Sequence, residues 1–401
     1  MTTAIDPQLY NPDTFVASVP HDIFARLRRE APVFKQECAD GTSFWVLTKY
    51  HDIVTVSQDS ATFSSAKGTN IEDMQGGTEL MIVNMDPPRH TKLRNLVSKG
   101  FTPRMVRLLE PHVRDIAKQI IDDVAKRGEC DFVTDIAAEL PLQVIAELIG
   151  VPLGERHLVF QWSNQMIGLE DPEYGSSMEL ATQAAAEMFA YADKLATERR
   201  QSPHDDLVSV LIDAEVEGEK LTQLEFDVFF MLLAVAGNET TRNLISGGML
   251  ALFEHPDQHA RLLEDPALIP TAVEEMLRWV TPVMYFRRTT TRDVEIRGHQ
   301  IAAGEKVTLW YISGNRDEEV FGPERFDVGR DPNPHLGFGG GGAHFCLGAS
   351  LARLEIRIMF EELLRRLPDI ELAGPVARLR SNFISGIKHM PVRFTPERSA
   401  F

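Results

Sequence analysis

Cysteine is scarce in this sequence. Cys38, Cys130 and Cys346 are the only three in 401 residues. They lie far apart and form no C-x-x-C pair, which excludes a disulfide framework and a Cys-rich zinc site. Cys38 and Cys130 read as small, half-buried apolar residues. Long hydrophobic runs are missing too. The most apolar stretch, VFFMLLAVA at 228–236, falls well short of the roughly 20 residues that a membrane-spanning helix needs, and Asn238, Glu239 and Arg242 follow at once. Positive charge is in deficit: 41 Lys and Arg stand against 59 Asp and Glu, a formal net charge of −18. That is the wrong sign for a protein that grips a nucleic-acid backbone. The N-terminus, MTTAIDPQLYNPDTF, has no basic start followed by an apolar run, so no secretory signal and a cytoplasmic location are expected. No repeat, low-complexity tract or Ser/Gly/Pro-rich linker divides the chain.

What is present is ordinary for a globular protein, with 43% apolar and 25% charged residues. The length suits one large single-core unit or two domains, either able to enclose a sizeable cofactor. Most of the chain recurs at helical spacing, notably IFARLRREA near the start and the stretches beginning at 105, 179 and 224. Strand signals are fewer: SFWVLT at 43–48, VEIRG at 294–298 and KVTLWYIS at 306–313. The expected fold is mainly α with a small β component, in one large domain over residues 1–401. Two irregular segments, 63–88 and 166–179, interrupt the helices where lids and binding loops tend to occur.

The stretch HLGFGGGGAHFCLGASLARLE at 335–355 admits two readings. Gly337-x-Gly339-x-x-Gly342 matches a dinucleotide fingerprint, which requires a strand before it and an acid about twenty residues on. The lead-in GRDPNPH is turn-forming, and the downstream acids Glu361 and Glu362 sit inside a helical pattern, so the nucleotide reading fails. Leu347, Leu351, Leu354 and Ile358 form an apolar stripe that Pro368 ends. Cys346 then stands at a helix N-terminus, where free N–H groups and the helix dipole favour a thiolate. A lone thiolate cannot complete a structural zinc shell, but it can be the single axial ligand of a haem iron. A flexible glycine loop beside an ordinary buried cysteine is the alternative.

Three further motifs carry polar residues where they need a reason. AGNETT at 236–241 places Asn, Glu and two Thr in the most apolar helical run, which costs burial energy unless they are satisfied or functional. Thr240 is positioned to bond back to the Ala236 carbonyl, bend the helix and leave a groove. EEMLRW puts Glu275 and Arg278 on one helix face, and DPPRHTKLR does the same for His90 and Arg94.

FGGGGAHFCLG resembles the cysteine loop of the cytochrome P-450 family of haem-thiolate monooxygenases. The likeness extends from about residue 20 to 395 through these motifs in the family's order. One departure is visible: Phe338 lies eight residues before Cys346, where many members have seven. The resemblance implies the cytochrome P-450 fold and haem b (iron protoporphyrin IX), with Cys346 as the thiolate ligand. It assigns His90, Arg94, Arg288 and His344 to the haem propionates, which guanidinium groups suit. Glu239 and Thr240 become the acid and alcohol that deliver protons to dioxygen. Glu275, Arg278 and Arg325 become a buried network that fixes the segment leading to the cysteine.

The function so implied is hydroxylation of an unactivated C–H bond of an apolar substrate: a methyl-branched lipid, a sterol side chain or a terpenoid. Expected pocket residues are Met81, Ile82 and Val83; Met166, Ile167 and Leu169; Val235 and Ala236; Val283, Met284 and Phe286; Phe383 and Ile384. Electrons must come from outside, which implies a ferredoxin and ferredoxin reductase with NAD(P)H upstream. Arg89, Lys92, Lys99, Arg104 and Arg353 offer a docking patch. A peroxide-driven peroxygenase and a non-catalytic haem- or lipid-binding protein are the rival readings.

Overall fold

The apolar periodicities build fourteen α-helices among the residues described by this computed structural model: 6–73, 78–98, 101–174, 177–202, 204, 206–213, 215–216 and 219–397. The first seven are α1 His21–Glu30, α2 Tyr50–Gln58, α3 Arg89–Ser98, α4 Pro103–Ala125, α5 Glu139–Leu148, α6 Arg156–Ile167 and α7 Met178–Gln201. Then follow α8 Leu207–Ile212, α9 Gln223–Glu254, α10 Pro256–Glu264, α11 Ile269–Val280, α12 Tyr311–Gly314, α13 Glu318–Phe321 and α14 Ala349–Arg366.

Helix α9 is the axle. Thr222 starts it with a capping box, accepting from Glu225 N while Glu225 Oε2 accepts from Thr222 N at 2.9 Å. Its 32 residues reach about 48 Å, and its apolar character on nearly every side requires burial. Glycines let neighbours touch its backbone. A Cβ on Gly237 would lie 2.7 Å from Ile145 of α5, and one on Gly247 would lie 2.6 Å from Val280 of α11. Helices α5, α7, α11 and α14 all pack on α9, and α14 packs on α4. One large apolar cluster runs through them, from Val97 to Phe394.

A five-stranded sheet closes one edge, in the order 33–37, 43–47, 306–309, 286–290, 63–64. The pairing of 306–309 with 43–47 is parallel, with Val307 opposite Trp45 and Leu309 opposite Leu47; the others are antiparallel. The strand expected over 306–313 ends at Leu309. Trp310 is wholly buried against Phe15, Phe24 and Tyr285, and the backbone turns there into α12, where Ser313 Oγ donates to Thr48 O at 2.9 Å. Among the described residues no helix is long and apolar enough to cross a membrane.

The approach to the cysteine is pinned by one fully buried carboxylate. Glu275 takes a bidentate pair from Arg278, at 2.8 and 2.7 Å, and also accepts from Asp327 N at 2.8 Å and Asn333 Nδ2 at 3.0 Å. Arg278 spends its remaining donors on Asn315 O and Arg325 O, at 2.8 and 2.9 Å. The second arginine of this network is Arg330, whose Nε reaches Glu275 Oε2 at 3.1 Å. Arg325 was expected there and is not the partner: it contributes only its carbonyl, while its largely exposed side chain pairs with Asp327 at 2.6 Å. The reason is a turn. Asp327 O accepts from Arg330 N and Asp327 Oδ1 accepts from Gly329 N, reversing the chain and bringing Arg330 back.

Removing one partner from a buried pair leaves an uncompensated charge. Arg278→Ala should therefore cost about 3–5 kcal/mol, whereas Arg325→Ala, at the surface, should stay within about 0.5 kcal/mol. Denaturant unfolding of the two variants checks both the magnitude and the reassignment.

Candidate active site

Cys346 sits two residues before Gly348, the N-cap of α14. Its backbone N–H donates to Phe338 O at 3.0 Å, closing the glycine run into a loop. Within that loop Gly339, Gly341 and Gly342 have φ of 92°, 89° and 75°, a region L side chains rarely adopt. The loop curls against the C-terminus of α2, so closely that a Cβ on Gly342 would lie 2.6 Å from Ser57 O. This accommodates the additional residue after Phe338: three left-handed glycines take up the extra length without moving the Phe338 carbonyl off the cysteine. Phe338 itself is buried under Arg353, whose guanidinium carbon lies 4.5 Å from the ring centre.

The cysteine is both exposed and surrounded. Its side chain is accessible, yet burial is the largest influence on its thiol and raises its pKa above the usual value. The Gly348 N–H first, then Arg94 and Arg353, pull the other way and favour the thiolate. The two observations agree if the accessible surface faces an internal slot and not bulk water. Helix-end stabilisation of the sulfur is thus carried mainly by a single N–H group.

Four basic side chains expected to act together do meet here. The rings of His90 and His344 lie 4.2 Å apart, and Arg94 Nη2 donates to Phe345 O at 2.5 Å. His344 Nε2 lies 3.2 Å from Ser65 Oγ. Burial, then Arg288, His90 and Arg94, push the His344 pKa down to about 3; burial and Arg94 also lower that of His90. Arg288 is almost fully buried and donates to Arg287 O at 2.8 Å. Neither Arg94 nor Arg288 forms an ion pair among the described residues.

Helix α9 presents a matching stripe. Ala236 is exposed, and Val235, Gly237 and Thr240 are partly so, in the middle of a buried helix. Thr240 Oγ1 donates to Ala236 O at 3.0 Å, as its position predicts, although the helix stays continuous instead of opening. Glu239 does not share this stripe. It is 1% exposed and paired with Arg242. The acid and the alcohol thus face different directions, because successive helical residues point about 100° apart.

Residues 156–368 match the family described as Cytochrome P450. A methyl-branched lipid omega-hydroxylase of Mycobacterium tuberculosis is 47% identical over 389 residues, covering 93% of this chain and 90% of the relative. A steroid C26-monooxygenase of Rhodococcus jostii is 45% identical, covering 96% and 84%. The chain belongs to the cytochrome P450 family. The solved structure of a Mycobacterium marinum cytochrome P450 in complex with pseudoionone superposes with a TM-score of 0.89 at 44% identity, covering 93% of this chain and 94% of that one. The protein is accordingly a P450 monooxygenase, and the family implies haem with a cysteine thiolate ligand.

The residues of this P450 fit such a group. The accessible Cys346 thiol has two guanidinium groups, without ion pairs among the described residues, and two imidazoles gathered beside it. Such a basic cluster calls for anionic partners, which the carboxylates of a haem supply. His90 Nδ1 is buried without a protein partner, leaving a polar atom to be satisfied.

Most expected pocket residues are partly exposed: Met81, Ile82, Val83, Met166, Ile167, Leu169, Val283, Phe286 and Phe383. Met284 leaves the set. It is 0% exposed and packs with Phe44, Val46, Tyr285 and Trp310, because its backbone, bonded to Phe383 O at 2.9 Å and accepting from Ile312 N, turns the side chain into the core. Ile384 is likewise buried, bridged to Val283. Arg242, Asn164 and Arg330 were missed by sequence reasoning. The signal for Arg242 was there, a charge one turn after an acid in an apolar helix; Asn164 and Arg330 gave none.

The loop geometry yields a graded expectation. Gly339→Ala meets only the backbone penalty of a left-handed residue, about 1–3 kcal/mol, since its Cβ would have 3.9 Å of clearance. Gly342→Ala adds a collision with the α2 backbone and should be the more destabilising of the two in thermal unfolding.

Proposed function

We propose that this P450 hydroxylates a terminal, unactivated methyl of a methyl-branched lipid or sterol side chain. Iron protoporphyrin IX would be its haem and a ferredoxin with its reductase and NAD(P)H its electron source. What supports the substrate class is the apolar, partly exposed character of the expected pocket residues and the accessible stripe at Ala236 and Thr240, together with relatives named for omega- and C26-oxidation. An apolar lining selects an apolar ligand.

In this reading Cys346 is the iron ligand, and His90, Arg94, Arg288 and His344 hold the propionates. Bound there, haem supplies the redox chemistry that activates dioxygen, with electron density from the thiolate favouring O–O cleavage. The chain's own part is positional. Val235, Ala236, Val283 and Phe286 exclude water and orient the substrate. Thr240 offers a hydroxyl whose hydrogen bond to Ala236 O fixes its direction, and Glu239 is the nearest acid in sequence from which it can be resupplied with protons.

The docking surface takes a different composition from the one expected. Arg89 pairs with Glu225, and Arg353 with Glu274 at 2.7 Å; Lys92 has a partner, and Lys99 lies outside the described residues. Arg104 and Arg107 at the start of α4 are exposed and, among the described residues, free of ion pairs, beside Met105 and Leu108 at 45% and 67% exposure. This basic and apolar patch is the face offered to an acidic ferredoxin.

Carbon monoxide added to the reduced holoenzyme should give the strongly red-shifted Soret band of thiolate ligation, absent in Cys346→Ser. A histidine-type band in folded wild-type protein would sink the assignment. With branched-chain lipids and sterols as substrates, Thr240→Ala should consume NAD(P)H with much less product per equivalent. Arg104→Glu with Arg107→Glu should slow ferredoxin-driven reduction and flatten its salt dependence, while leaving dithionite reduction unchanged.

A further inference from the structure

Two of the expected pocket segments are tied to each other by charge. Helix α6 runs out at Ile167 into a compact turn over 168–174, where Asp171 N donates to Gly168 O at 2.8 Å and Tyr174 N donates to Asp171 O at 3.1 Å. The turn closes so tightly that a Cβ on Gly168 would lie 2.4 Å from the Tyr174 ring. Against it lies the hairpin of strands Ala377–Arg378 and Ile387–His389, whose connection carries Phe383.

Three basic residues of the hairpin hold the turn. Arg380 donates from its backbone N to Asp171 Oδ2 at 2.8 Å and from Nη1 to Glu170 O at 2.7 Å. Lys388 Nζ reaches Asp171 Oδ1 at 2.9 Å and Glu173 Oε2 at 2.6 Å. His389 stands between carboxylates of two different elements. Its Nε2 lies 2.7 Å from Glu173 Oε1 of the turn, and its Nδ1 lies 2.6 Å from Asp131 Oδ2 of the strand Glu129–Asp131.

That last arrangement has a proton requirement. An ionised carboxylate only accepts hydrogen bonds, and a neutral imidazole has a single N–H. Both contacts are therefore hydrogen bonds only while His389 is a cation, and loss of the proton sets a lone pair against one carboxylate. Asp131 is held in place, since its Oδ1 accepts from Val133 N at 2.9 Å and Met390 N at 3.2 Å. The contact free to open is the one to Glu173.

The surroundings favour the cation. Glu173 above all, and then Asp131, raise the His389 pKa, while partial burial opposes them. Glu129 and Asp135 add negative charge from the adjoining strand and turn, Asp135 being paired with Arg127 at 3.6 Å. The other charges nearby are committed: Lys388 to the acids of the turn, Arg393 to Glu371, and Arg378 to the field of Glu254. Burial keeps Tyr174 neutral.

We propose that His389 is a pH-dependent clasp on substrate entry, which as a cation locks the 168–174 turn to the hairpin and on losing its proton lets the two part. A folded pKa above the ordinary 6.5 means that the lock is complete below that value and is lost as pH rises through the higher one. The proposal rests on the reading in which Leu169, in the turn, and Phe383, in the hairpin, line the pocket.

Hydrogen–deuterium exchange of the holoenzyme from about pH 6 to 9, the range over which a histidine titrates, tests the lock directly. Protection factors divide out the intrinsic pH dependence of exchange, and in the wild type they should fall several-fold across 168–174 as pH rises. His389→Gln, which never carries the charge, should show the low value at every pH, and His389→Lys, a fixed cation over this range, should keep the high one. Entry is read on the same proteins with two uncharged probes: cholesterol delivered from cyclodextrin, by its spin-state shift in stopped flow, and carbon monoxide, by rebinding to the reduced haem after a flash. Association should quicken with pH in the wild type, stay fast in His389→Gln and stay slow in His389→Lys. Wild-type protection that does not change with pH, or that changes equally in His389→Gln, overturns the proposal, as do association rates that ignore pH while protection falls. If cholesterol causes no spin-state shift, the sterol reading fails, and exchange and carbon monoxide still decide the clasp.

Discussion

A single carboxylate, Glu275, holds the cysteine where it is. It is fully buried, and taking a charge out of water costs several kcal/mol unless its neighbours replace the lost hydration. Here two arginines, a backbone N–H and an asparagine amide do so. All four come from two stretches, α11 itself (Arg278) and the distant residues 327–333. The carboxylate can be satisfied only if the segment before the glycine loop lies against α11. From there Asn315 Oδ1 accepts from Leu336 N at 2.6 Å, and Phe338 O then receives the Cys346 N–H. The position of the sulfur is the end of a chain of hydrogen bonds that begins at Glu275.

The same constraint explains why the loop tolerates an extra glycine. Its two ends are fixed independently, one by Asn315 and the other by the start of α14, so added length has to be absorbed in between. Left-handed glycines do this at little steric cost because they lack a Cβ, and Ser57 and Gln58 of α2 form the wall against which they turn. A loop held at both ends by buried partners loses little freedom when it is lengthened by one residue.

Much of this was legible in the sequence because it depends on local periodicity. The long helices and the small sheet follow from spacing, whereas the grouping of His90, Arg94, Arg288 and His344 came only with the resemblance to the family. Three features were not legible, each for a geometric reason. Arg325 and Arg330 are five residues apart in one motif, and only the turn at Asp327 decides which returns to Glu275. Met284 sits among pocket residues in sequence, but an extended backbone sends neighbours to different sides. The strand over 306–313 is cut short because Trp310 needs an aromatic pocket that the continuing strand would not reach.

Glu239 and Thr240 are where adjacency in sequence misleads most. Neighbours on a helix diverge by about 100°, so an acid beside an alcohol cannot face the same space unless the helix distorts, and α9 stays regular. The hydroxyl looks toward the apolar stripe, and the carboxylate looks toward α6 and its arginine. On that side the carboxyl is still buried, which raises its pKa, and Arg242 is the partner that opposes the rise. Such a division leaves the accessible stripe of α9 to Ala236 and Thr240 and keeps the ion pair off it.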